Sequence, residues 1–154
     1  MNANIVIIVL GCLGIGGSLM PLVESGMFNV GIGDLSGLAK LLHVVPVVLI
    51  VVGLLAAANK LDKPNPWYLA IGTTGVALCL IVSNGAMQHL EYFQAHFGEL
   101  GSRFQALAPP AMASASKGLA SGGWLLMLSF AGSALVGLYG VLARTHDAVE
   151  HVDT

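Results

Sequence analysis

Four long apolar runs dominate the chain. They extend over about residues 5–23, 38–58, 67–87 and 119–143, and none contains Asp or Glu. A transmembrane helix needs about 20 predominantly apolar residues, so each run predicts one membrane-spanning helix. Short polar segments separate the runs. The turn Asn59-Lys60-Leu61-Asp62-Lys63-Pro64 predicts that the second and third helices are antiparallel neighbours, and Pro21 to Lys40 reads as a short external loop. Asp34 is placed to cap the second helix, Pro46 to kink it, and Asn65-Pro66 to open the third.

The pattern changes after residue 87. Leu90, Phe93, Phe97, Leu100, Phe104 and Leu107 recur at alternating intervals of three and four, with polar residues between them. That spacing lays all six on one stripe of an amphipathic helix over about residues 88–107, continuing the third span beyond the bilayer or lying along its surface. Gly98 and Gly101 weaken it and Pro109-Pro110 ends it. The expected architecture is all-α: a single transmembrane domain of four helices with this external helix between spans three and four.

Composition sharpens the picture. Only 9% of the 154 residues are charged and 56% are hydrophobic, whereas a soluble domain carries about a quarter charged residues. The net charge of −2 gives no basis for nucleic-acid binding. Cys12 and Cys79 lie far apart inside apolar runs, which excludes the CxxC pair of the four-helix disulfide-forming enzymes. Met1-Asn2-Ala3-Asn4 lacks the basic start of a secretory signal, so the first run reads as a retained helix. Claudin-type proteins have a Trp-rich first external segment with a cysteine pair. Residues 21–40 contain neither and are too short for an extensive external sheet.

Small residues recur within the spans. Gly14 and Ser18, Cys12 and Gly16, then Gly75, Cys79 and Ser83, then Ser129, Ser133 and Gly137 are each four apart. Such faces allow close backbone approach between membrane helices. Lys60, Lys63 and Arg144 fall on one side and Lys40, Arg103 and Lys117 on the other, a tie that the very short loop of Lys60 and Lys63 breaks in favour of both termini inside the cytoplasm; Trp67, Tyr68 and Tyr139 would form the aromatic belt on that side. The compact loops suit a bacterial inner membrane.

Candidate chemistry is sparse. The spans hold no ionisable acid or base of the kind that ion-coupled transporters keep near mid-membrane. His43 and His89 fall toward the same outer side and could ligate haem from facing helices. His89 with His96 and Glu99 could hold a transition metal. His89, His96 and Arg103 recur every seven residues along one edge of the amphipathic helix, suiting a partner or headgroup contact, and His146, Glu150 and His151 lie in a polar tail. The leading expectation is a non-enzymatic subunit without a cofactor. Its partners would be lipid and other membrane subunits or copies of itself, with Leu90 to Leu107 as the contact stripe. A homo-oligomeric passive pore and a haem or metal redox protein are the alternatives.

Overall fold

The computed structural model describes residues 2–25, 28–35, 37–96 and 118–150. Among these residues are four α-helices: α1 (Ala3–Ser18), α2 (Leu41–Ala57), α3 (Asn65–His96) and α4 (Ser121–Glu150). Three strands accompany them: β1 (Pro21–Ser25), β2 (Phe28–Gly31) and β3 (Gly118–Leu119). Three stretches are long and apolar enough to cross a membrane: Gly37–Ala57, Asn65–Gln88 and Ser121–Arg144. The helix α1 is apolar but shorter, at 16 residues.

Consecutive helices run antiparallel. The closest packing joins α3 to α4 and α1 to both α2 and α4, while α2 and α3 touch more sparsely. Glycines fix the register. A Cβ on Gly72 would fall 2.5 Å from the Ala134 nitrogen, and one on Gly75 would fall 2.5 Å from the Phe130 ring. Gly137 rests on the backbone of Leu69, and Gly140 on the Asn65 side chain. On the other side, Pro46 of α2 is buried against Gly11 and Gly14 of α1. Proline cannot donate the backbone bond to the Leu42 carbonyl, and here its ring lies against Gly14 while its carbonyl and the Ile50 side chain lie against Gly11.

The first helix stops earlier than the apolar run suggests. It ends at Ser18 rather than Val23, and Pro21 begins a strand. Proline lacks an amide hydrogen, and it disfavours helical geometry in the residue before it. The external loop is likewise partly ordered. β1 pairs antiparallel with β2, with a bulge between Pro21 and Val23, and β3 pairs with the other edge of β1. With the bulge interrupting the alternation of faces, Leu22 and Val23 are both buried. Ile32 and Ala39 join them and Leu42 of α2 in one cluster, carrying the apolar core beyond the α-helices.

Asp34 caps a different turn from the one expected. The Asp34 carboxylate accepts a hydrogen bond from the Gly31 amide at 2.9 Å, tying a 3-10 turn rather than the start of α2. At α3 the Pro64 carbonyl accepts from Trp67 and Tyr68 at 3.0 and 3.1 Å, so the helix starts at Asn65 and that side chain packs on Gly140. α3 continues without a break to His96, taking in the first part of the amphipathic segment; residues 97–117 lie outside those described. α4 begins at Ser121 and extends to Glu150, so the start of the polar tail is helical.

Candidate functional site

The polar groups inside the helical body are few, and almost all are engaged. The Tyr68 hydroxyl donates to the Asn4 side-chain oxygen at 3.0 Å, linking α3 to the start of α1. Tyr68 is fully buried, so it does not share an aromatic belt with Trp67. Successive helical residues point about 100° apart, and Trp67 is the one that faces out. The Ser129 hydroxyl donates to the Leu10 carbonyl at 2.7 Å, a link from α4 to α1. Ser133 donates to the Ser129 carbonyl and Ser18 to the Ile15 carbonyl, both at 2.8 Å. Thr73 faces outward but donates to its own helix, to the Leu69 and Ala70 carbonyls. Its hydroxyl therefore needs no partner from lipid.

Ser83 is the exception. Its hydroxyl is buried with no hydrogen-bond partner among the described residues. The Cys79 thiol, one turn earlier, approaches it, but a thiol is only a weak partner.

The small-residue faces are occupied within the chain. Gly14 lies against Ser129 and Pro46, Gly75 against Phe130, and Gly137 against α3, while Ser18, Ser83, Ser129 and Ser133 are buried. Gly16 differs: it is exposed, and nothing lies within 4 Å of where its Cβ would be. α1 turns Gly11, Gly14 and Gly17 inward. That leaves Cys12 and Gly16 on the outer face with Ile5, Val9 and Leu13.

The histidines are spread along the helices. His43 is half-buried near the start of α2. His89 and His96 are carried by the outer part of α3, and Glu99 lies outside the described residues. Counted from the turn between α2 and α3 at 1.5 Å per residue, His89 lies roughly 15 Å beyond His43. A single iron bound by both would need them at one height. Among the described residues, no group of three or more His, Cys, Asp or Glu is gathered to hold a metal ion. Of the apolar stripe, Leu90 and Phe93 are on α3, and Phe97, Leu100, Phe104 and Leu107 lie outside the described residues.

Sequence patterning missed the Tyr68–Asn4 link and the seating of Pro46. The only available signals were a tyrosine beside a proline-led helix start and a proline facing a glycine-rich helix, neither of which names its partner. No protein-family model, curated protein or solved structure matches the chain.

Proposed function

We propose that this chain is a four-span membrane protein with no reaction of its own, an accessory subunit that docks into a larger membrane assembly. Both termini face the cytoplasm, and the bacterial inner membrane is its setting. The observation that carries this reading is the length of α3. Its membrane-compatible stretch ends at Gln88, yet the helix continues to His96. Those eight further residues add about 12 Å of helix, and they bring Leu90 and Phe93 of the apolar stripe out beyond the span.

The helical body gives supporting evidence by what occupies its interior. The Tyr68 and Ser129 hydroxyls join helices, and the inward glycines such as Gly14, Gly72, Gly75 and Gly137 are met by neighbouring helices of the same chain. Little internal chemistry is left to serve a substrate. The surface proposed for a protein partner is therefore the outer part of α3, which carries Leu90 and Phe93, rather than the small-residue faces.

Native mass spectrometry after gentle extraction from the source membrane tests the proposal. The expected result is a complex in which this chain accompanies other proteins. Phe93→Asp should release it without lowering its own melting temperature. A monomer in native membranes would sink the subunit reading, and a complex of identical copies with flux in vesicles would replace it with a pore.

A further inference from the structure

Three lengths in this molecule agree on how much apolar thickness it presents to lipid. α1 has 16 residues, about 24 Å of helix. It lies between Asn2, which caps it, and the strand opened by Pro21. α2 has 17 residues, about 26 Å, between exposed Lys40, which ends the 3-10 turn Gly37–Lys40 that extends the helical stretch to 21 residues, and exposed Asn59 and Lys60. On α4 the outward-facing Trp124 and Tyr139 are about 22 Å apart along the axis. The contacts of Gly137 with Leu69 and Asn65 set exposed Trp67 of α3 near the level of Tyr139. Aromatic side chains of this kind favour the membrane–water interface, so the two levels mark the edges of the apolar band.

All three lengths fall short of the average hydrocarbon core of about 30 Å. α3 and α4 are longer, but this does not raise the limit. A long helix can tilt or continue into water, and α3 has the length to do so toward His96 and α4 toward Glu150, whereas a short helix cannot lengthen. Lys40 can lay its stem on apolar surface and lift its charge to the headgroups. Asn2 and Asn4 have no such reach.

We propose that the lipid partner of this chain is a thin bilayer, with a hydrocarbon core of about 22–26 Å. The outward residues Ile5, Val9, Val44, Val51 and Leu135 contact short acyl chains, and in a thicker membrane the surrounding lipid is drawn down to meet them. The use of α1 rests on the four-span reading; the band on α3 and α4 does not.

The two tryptophans of the chain are both exposed and supply the test. The whole protein is placed in phosphatidylcholine vesicles with acyl chains of about 14, 18 or 22 carbons, and quenching by brominated lipid gives relative lipid affinities. Affinity should be highest for the shortest chains and fall about two- to threefold by the longest. Trp67→Phe and Trp124→Phe should each retain the trend, since both edges belong to the same band. Equal affinities, or a preference for the longest chains, overturn the thin-bilayer proposal. Tags on the two termini are probed with an impermeant protease in the same vesicles. Both should respond alike, and opposite responses overturn the four-span reading independently of the quenching result.

Discussion

At the scale of single residues, the glycines separate into those that neighbouring helices fill and those that nothing fills. Gly72 and Gly137 meet backbone of the facing helix, which cannot withdraw, whereas Gly16 and Gly85 meet nothing. Gly72→Ala and Gly137→Ala should each cost about 1–3 kcal/mol by forcing α3 and α4 apart. Gly16→Ala should be neutral, or stabilising by up to about 1 kcal/mol through helix propensity. Thermal unfolding in detergent distinguishes these outcomes, and equal losses at Gly16 and Gly72 would mean that α1 packs differently. The Tyr68–Asn4 bond is a second residue-scale feature. Hydrogen bonds between membrane helices average about 0.6 kcal/mol in double-mutant cycles, with a maximum near 1.7. Tyr68→Phe combined with Asn4→Ala should give a coupling energy in that range. Zero coupling would show that the link does not hold α1 in place.

At the scale of elements, β3 against β1 is the pairing with the longest reach in sequence. The Ala120 amide donates to the Leu22 carbonyl, and Val23 lies opposite Leu119. The adjacent pair is thus a non-hydrogen-bonded one, where opposing residues come closest, and that favours a cross-link. Val23→Cys with Leu119→Cys, in a background with Cys12 and Cys79 replaced by Ala, should oxidise to an intramolecular disulfide. A failure to cross-link would place residues 118–119 away from β1. This strand pair was not legible in the sequence. Two residues give no periodicity, and Gly118-Leu119 reads as the edge of the apolar run that becomes α4. The bodies of α2, α3 and α4 were legible because about 20 apolar residues have few alternatives in a membrane. Helix ends were less so, since Pro21 and Pro64 set them through backbone geometry that hydrophobicity does not record. The small-residue spacing gave the packing faces but not their partners. Gly14 and Gly16 look alike in sequence, and only the direction in which α1 turns separates them.

At the scale of the whole molecule, the distribution of charge has to decide which way the chain sits. The only basic residue in the first 59 is Lys40, so α1 carries little orienting information of its own. Lys60 and Lys63 share a short exposed turn with one acid, Asp62, and Arg144 follows the apolar part of α4. On the packed helices that turn and Arg144 lie toward the same end, because Gly140 rests on Asn65. Basic residues in short loops orient membrane proteins, while acidic residues contribute little. If that turn is what orients the chain, removing its charge should loosen the choice while leaving the packing intact, since both lysines are exposed. Lys60→Gln with Lys63→Gln should therefore give a mixed or inverted population when reporters at the two termini are assayed in cells, because Arg144 is then outnumbered by Lys40, Arg103 and Lys117, which precede α2 or separate the third and fourth apolar runs. Restoring one lysine should recover most of the original orientation. A uniform, unchanged orientation in the double variant would mean that the order in which the apolar runs enter the membrane, and not the charge on this turn, fixes the topology.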